Sequence, residues 1–331
     1  FLHVLTAEEA NYLQRLASQS PLQIPLLIGI DAIHGNAQVA GCTVYPTSIG
    51  QASTFDPELV ERICEETAAE MRATGSQWTF NPNVEVARDP RWGRVGETFG
   101  EDPYLVSVMG AASVRGYQGR NFSEPGRVLS CVKHFVGGSQ PVNGTNGSPT
   151  DLSERMIREI FFPPPFKAGI DAGAYSMMTA HNELNGIPCH SNRWLMEDVV
   201  RGEWGFEGFI VSDWMDVEHI HDLHRTATDN KDAFRQSVNA GIYMHMHGLQ
   251  FYEKVIELVK EGAVSESAVN RACLKILTAK FKLGLFENPY TDTEQTSKSV
   301  FTEKHRATAY EAAVKSAVLQ TNDGILPLDA S

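Results

Sequence analysis

The run Gly208-Phe209-Ile210-Val211-Ser212-Asp213-Trp214 places an acid and an indole directly after an apolar stretch. Phe209, Ile210 and Val211 suit a strand buried on both faces, because aromatic and β-branched side chains pack well on a pleated surface. The run stops at Ser212, so Asp213 stands where the strand yields to a loop. In α/β barrels that edge projects catalytic side chains, whereas the opposite edge serves stability. A carboxylate beside an aromatic plate suits sugar chemistry: the ring covers a pyranose face and the acid meets charge growing at the anomeric carbon. A helix-capping aspartate reads the same way at this level.

Asp31, Arg94, Lys133, His134 and His181 fall at or after other apolar runs, so a barrel would gather them with Asp213 on one face. Hydroxyl-rich ligands need that mixture, since carboxylates accept paired hydroxyls while Lys, Arg and His donate. Positive charge on Lys133 and His134 would also keep a nucleophilic carboxylate ionised. Competing readings stand beside each: a local salt-bridge network for Arg88, Asp89, Arg91 and Arg94, and a satisfied core imidazole for His134. His219, His221 and His224 fall in a polar, exposed stretch. His245-x-His247 would share one face of a strand, as a hydrolase metal pair does. Trp78, Trp92, Trp194 and Trp204 read as core or rim, and Trp214 as the ring against substrate.

The elements that must position these residues alternate short apolar runs with amphipathic helices, the pattern of parallel strands joined by helical crossovers. Ile24–Ile30 reads as a strand ending at Asp31, and Asp56-Pro57 as a helix start followed by Val60, Ile63, Cys64, Thr67 and Met71. Trp78–Val86 reads as strand and loop, and Val128–Val136 as a strand carrying Lys133 and His134. After the Gly/Asn/Pro loop 137–149, Asp151-x-x-Glu154 forms a capping box for a helix that Pro163-Pro164-Pro165 ends. Ala174–Ala180 and Ile242–Met246 read as strands, Trp194–Val200 and Ala233–Asn239 as helices. Ser265 caps a helix with Val269, Ala272, Cys273, Ile276, Leu277 and Phe281 inward, stopping near Gly284. No Gly-x-Gly-x-x-Gly follows a strand, so an α/β, TIM-like (β/α)8 barrel is favoured over a dinucleotide-binding fold. Its first strands are expected to be irregular. The expected division is a barrel over 1–285, then a linker and the start of a second α/β domain over 286–331, with Arg306–Val318 helical.

The 331 residues allow a large core, and 42% hydrophobic with 21% charged is ordinary for a globular chain. Lys+Arg 28 against Asp+Glu 41 gives −13 without any basic block, which argues against nucleic acid and anionic membranes. Five scattered cysteines, Cys42, Cys64, Cys131, Cys189 and Cys273, form neither a disulfide framework nor a zinc cluster. The chain opens on Phe1, so the lack of a signal peptide says nothing about export. Asn121, Asn143 and Asn146 head glycosylation-type triplets of a kind that arises readily by chance in Gly/Asn-rich loops.

Five segments stand in an order that resembles glycoside hydrolase family 3, in its bacterial and plant β-glucosidase branch. They are Gly29-Ile30-Asp31-Ala32-Ile33-His34-Gly35, Ala87-Arg88-Asp89-Pro90-Arg91-Trp92-Gly93-Arg94, Glu97-Thr98-Phe99-Gly100-Glu101-Asp102-Pro103, Lys133-His134-Phe135 and Val211-Ser212-Asp213-Trp214. The resemblance implies a retaining, exo-acting β-glucosidase that acts on β-glucosides or gluco-oligosaccharides, releases glucose and needs no metal or other cofactor. Asp213 matches the nucleophile, and Asp31, Arg94, Lys133 and His134 match residues holding the terminal glucose. Met178 and His181 occupy pocket-lining positions, His181 where many relatives carry tyrosine, and Trp214 matches the subsite aromatic. The loop 137–149 lacks the Asp-x-His acid of the N-acetylglucosaminidase members. That implies a general acid from a second domain whose threshold is Leu319–Leu328. A bacterial periplasmic or secreted location is implied, with a cytoplasmic one open.

Three departures accompany the resemblance: Tyr243 where relatives have aspartate, Gly96 where many have tyrosine, and the proline-heavy Phe162–Pro165. A xyloside substrate, a metal-dependent barrel hydrolase and a non-catalytic sugar-binding domain stay open beside the main reading.

Overall fold

In the computed structural model, which describes residues 1–329 apart from the side chains of Pro163 and Pro164, the long helices begin where a polar side chain takes up free amides. Thr6 opens α1 (Ala7–Ser18), and Asp56 opens α2 (Pro57–Thr74) by accepting from Leu59 N, with Pro57 in the first turn. Gly75 closes α2 at φ +100°, a backbone shape that favours glycine. Asp102 opens α3 (Pro103–Gln118) in the same manner as Asp56. Beyond residue 213 follow α4 (Asp216–Asp222), α5 (Asn230–Ala240), α6 (Phe251–Lys260), α7 (Glu266–Lys282), α8 (Thr293–Ser299) and α9 (Glu303–Lys315). Among the described residues no helix is long and apolar enough to cross a membrane.

The barrel strands are short and parallel; a separate antiparallel pair, Glu183–Leu184 with Ile187–Pro188, lies in the loop that follows His181. β1 (Gly29–Ile30) pairs with β2 (Trp78–Thr79), and β3 (Cys131–Phe135), β4 (Ser176–Thr179) and β5 (Phe209–Val211) pair in that order. Single bridges Trp78–Leu129 and Asn83–Lys133 join the two ladders, and Val211–Met244 extends the second. This is a TIM-like (β/α)8 barrel with short, irregular early strands, as the alternation of elements predicts.

Alternation along the strands divides the core into two layers. Leu27, Trp78, Phe80, Cys131, Met178, Phe209 and Val211 share the interior cluster, where Trp78 meets Phe80 and Phe209 edge-on at 4.6 and 5.3 Å. Ile30, Val132, Phe135, Met177 and Ile210 instead pack outward with residues of α2 and α3 such as Val60 and Val106. Cys64 and Cys131 are buried core residues, as their apolar contexts predict.

Several local expectations are corrected. The strand expected over 24–30 shortens to β1, and the one over 242–246 to the bridge at Met244. The helix after the 137–149 loop is capped by Ser153, not Asp151, because Thr150 is still paired with Leu184 and the chain turns only afterwards. Pro163–Pro165 interrupt the helix at Phe162 but do not end it. A new wide turn spans Pro163–Lys167, where prolines sit in a first turn that needs no amide donors. In α7 the expected inner face holds only in part: Phe281 is 57% exposed and stacks on Phe286, and Cys273 is exposed.

Residues 290–315 lie back against α1 and α2. Asn11 exchanges two bonds with Thr291, and Thr296 donates to Ala73 O. Buried Glu70 accepts from Thr43 N and Oγ1, Phe301 N and His305 Nδ1, while Glu66 holds Tyr45 and Thr308. Asp329 is the last residue described, so the end of the expected second unit lies outside the described residues.

Candidate active site

A cavity of about 540 Å³ opens at the ends of the strands. Asp31, Arg94, Lys133, His134, Met178, His181, Asp213 and Trp214 all line it, together with Leu2, His3, Phe80 and Met246. Every residue singled out for the pocket from the sequence is therefore gathered there.

β3 explains how Lys133 and His134 reach the same space although adjacent strand residues normally face opposite ways. Val132 pairs with Met177 and Phe135 with Thr179, so β3 carries one extra residue between those pairs. Cys131 faces inward and Val132 outward; Lys133 and His134 then both face the cavity, and Phe135 returns to the outer layer.

Lys133 Nζ donates to Asp31 Oδ1 at 2.8 Å, and His3 Nε2 lies 3.1 Å from Oδ2. Burial would raise the Asp31 carboxyl, but the charge and hydrogen bonds of Lys133 and His3 outweigh it and hold it well below the usual carboxylate range. Arg94 is locked by two bonds to Glu97 and points Nη2 at His134 Nε2, 3.1 Å away. Since an arginine only donates, His134 Nε2 accepts, and Nδ1–H donates to Glu85 Oε2 at 2.8 Å. Burial first, then the cations Arg94 and Lys133, push His134 far below the ordinary imidazole value, which agrees with a neutral ring. Burial also raises Glu85 to about 7 against the pull of Arg94.

Asp213 follows β5. Its Oδ1 accepts from Trp214 N at 2.7 Å, and its backbone amide donates to His190 Nε2 at 3.0 Å. The capping alternative fails, because the cap position of α4 is Met215. Asp213 Oδ2 lies 3.0 Å from His181 Nε2 and 3.6 Å from His134 Nε2, yet no aligned hydrogen bond reaches it among the described residues. Proximity and alignment thus differ here: an imidazole is close, yet the buried oxygen takes no hydrogen bond. Burial raises the Asp213 carboxyl above its ordinary value, with His181 opposing.

Behind His181 stands Asp216, which sequence reasoning missed. Its Oδ2 accepts from His181 Nδ1 at 2.7 Å and its Oδ1 lies 2.8 Å from His219 Nδ1. Burial would raise Asp216, but His190 and the bonds from His181 and His219 hold it well below the carboxylate range. Burial alone would lower His181, but the bond and charge of Asp216, with Asp213, raise it to about 9. Glu85 and His190 were also missed. A lone acid within Val84-Glu85-Val86, and an acid three residues before His219, were the available signs. The histidines read as exposed are not all so: His224 lies covered, its Nε2 3.1 Å from His181 O.

The metal alternative on His245 and His247 is overturned by their orientation. His245 Nε2 faces Glu218 at 3.0 Å with its ring stacked on Phe251, whereas His247 stacks on Trp214 at 3.8 Å and 4°. The two rings serve different partners. His181, Asp213 and Asp216 offer ligand atoms within 4.8 Å of one another, but their opposite charges already meet within the group. Trp214 is 49% exposed, stacked on His247 and part of the cavity lining. Tyr243 does not touch the cavity; Arg201 lies over its ring at 3.9 Å. A Cβ on Gly96 would meet nothing within 4 Å, as the expected open space beside Arg94 requires.

Comparison with known proteins agrees with this geometry. The family described as the glycosyl hydrolase family 3 N terminal domain matches residues 3–279. A beta-xylosidase of Formosa agariphila is 38% identical, over 97% of this chain and 47% of its own length. A periplasmic beta-glucosidase of Salmonella typhimurium is 36% identical, over 97% and 42%. The crystal structure of a beta-glucosidase from Listeria innocua in complex with glucose superposes with a TM-score of 0.94 at 37% identity, covering 99% of this chain and 45% of that one. The chain thus spans about half the length of the relatives it matches.

Proposed function

Since the chain belongs to glycosyl hydrolase family 3, we propose that it is the nucleophile-bearing barrel of a retaining, exo-acting β-glucosidase. The observation that carries this reading is Asp213 at the cavity wall, its buried Oδ2 free of any hydrogen-bond partner among the described residues and flanked by His181 and His134, with Trp214 beside it in the lining. In this reading Asp31, Lys133, Arg94 and His134 hold the hydroxyls of a terminal β-glucosyl unit, Met178 and Phe80 line its floor, and Trp214 carries the next group. Oδ2 attacks the anomeric carbon as the leaving oxygen departs, and water later resolves the glycosyl ester with net retention.

The leaving oxygen needs a proton. Among the described residues Asp31 and Asp213 are the carboxylates lining the cavity; Asp31 is kept ionised by Lys133, and Asp213 must be ionised to attack, so neither serves as the acid. We assign that task to a carboxylic acid of a second domain, in keeping with relatives about twice as long. Positioned acid catalysis is worth roughly 100- to 10,000-fold. A barrel without that acid should bind glucose and turn over poorly, and equal rates with and without the second domain would refute this.

Incubation with an activated 2-deoxy-2-fluoro-β-glucoside tests the central claim. Mass spectrometry should find one glycosyl adduct on the peptide holding Asp213; labelling elsewhere, or none, overturns it. The ratio of kcat/KM for aryl glucoside and xyloside decides the sugar, since the relatives carry both names. Fractionation of source cells checks a periplasmic or secreted location, which rests on the name of the Salmonella relative.

A further inference from the structure

We infer that His181, held by Asp216, is a catalytic cation acting on the nucleophilic carboxylate rather than a side chain that binds sugar. This rests on Asp213 being the nucleophile.

The geometry is a chain of three groups. His181 Nε2 stands 3.0 Å from Asp213 Oδ2, and Nδ1 is anchored 2.7 Å from Asp216 Oδ2. Asp216 is buried, and it also faces His190 Nδ1 at 3.7 Å. His190 Nε2 in turn accepts the backbone amide of Asp213. One buried acid therefore stands behind two of the imidazoles beside the nucleophile, His181 at its side chain and His190 at its backbone.

The groups facing His181 come from every neighbouring element. β3 supplies His134, whose ring lies 6.0 Å away, and Lys133; the preceding loops supply Arg94 and Glu85. α4 supplies Asp216 and His219, and His224 packs on the His181 carbonyl. Burial and then Arg94 oppose a charge on His181, but the bond and charge of Asp216, with Asp213, outweigh them and raise it to about 9, which favours an imidazolium at neutral pH.

Its place suits the second half-reaction. In the first step an Oδ2 lone pair bonds to the anomeric carbon and the bond to the leaving oxygen breaks. The N–H of His181, 3.0 Å away, makes no aligned hydrogen bond to that oxygen and so does not hold its electron pair. In the second step a water oxygen bonds to the anomeric carbon, its proton passing to the general base. The bond to Oδ2 then breaks and its electron pair returns to the carboxylate. His181 keeps its proton throughout. A fixed cation beside an oxygen that regains negative charge favours that departure more than it favours the neutral ester.

The test uses the full-length protein, the slow fluoroglucoside and glucose. In His181→Gln the acid limb of the trapping rate should move up by about one pH unit, because a nearby cation no longer holds Asp213 down. Reactivation of the trapped enzyme should slow by roughly tenfold to a hundredfold, with glucose affinity within about threefold of wild type. His181→Lys should return the acid limb toward its wild-type place. In Asp216→Asn, which keeps the shape if His181→Gln does not fold, the alkaline fall in reactivation should move from about 9 toward the ordinary imidazole value of about 6.5. An unmoved acid limb in His181→Gln, or a loss confined to glucose affinity, overturns the inference while Asp213 still labels. Failure of wild-type Asp213 to label overturns the functional reading and this inference together.

Discussion

Lys133 Nζ lies 2.8 Å from Asp31 Oδ1, the lysine buried and the aspartate partly open to the cavity. Lys133→Met would leave Asp31 half-buried without its counter-charge. We expect about 2 kcal/mol lost at neutral pH, less than the roughly 3–5 kcal/mol for a dry pair, because water reaches Asp31. The Asp31 carboxyl is depressed in the fold, so its contribution is present above the unfolded value of about 3.9 and is lost as pH falls through the folded one. The gap between denaturant titrations of the two proteins should thus start to narrow only below about pH 4 and close as pH falls through the depressed folded value. A gap independent of pH would speak against the pairing.

Asp213→Asn should lower turnover on the order of 10⁴-fold or more and abolish the glycosyl adduct. Burial raises this carboxyl, so its folded-state proton is held more tightly and the ionised form costs stability above the folded value. The amide variant should therefore melt higher than wild type at pH 7, with the difference vanishing toward pH 3. Calorimetry at the two pH values checks the sign.

Tyr243 stacks under Arg201 away from the cavity, where burial lowers the guanidinium. Tyr243→Ala should cost about 1–2 kcal/mol through the lost cation–π contact and packing, while kcat/KM stays within about twofold of wild type. Tyr243→Asp should recover part of the loss by offering Arg201 an anion. A change in sugar preference in either variant would contradict the placement of this residue.

Glu70 collects the 43–45 loop and the segment bearing His305 on one buried carboxylate. Glu70→Ala leaves those donors unsatisfied and should cost about 3 kcal/mol. Limited proteolysis should then cut between Phe286 and Thr302 much faster than in wild type, with the barrel core still resistant. Equal cleavage rates would show that the segment is held by other contacts.

The strand ends were the legible part of the sequence. Apolar runs closing on Asp31, Lys133-His134, His181 and Asp213 carry their chemistry at the point where the period-two pattern breaks, so local reading reaches them. Asp216 and Glu85 escaped because their meaning is relational: a buried acid is recognised only by the imidazole it faces, 35 and 49 residues distant. The His245–His247 spacing misled for the opposite reason. Period two promises a shared face only while the chain remains in a ladder, and there the pairing had shrunk to one bridge at Met244. The strand within 24–30 is shorter than its apolar run because such a run marks burial and not where the ladder hydrogen bonds stop.

The extra residue in β3 has a cost in adaptability. Two adjacent cationic-type side chains enter the cavity because the backbone skips one beat between Val132 and Phe135. Deleting or inserting a residue there would rotate Lys133 or His134 into the hydrocarbon layer against the outer helices. Under the proposed reading, changes of sugar preference would fall to other lining positions such as His3 and Trp214, while this strand admits only same-length exchanges.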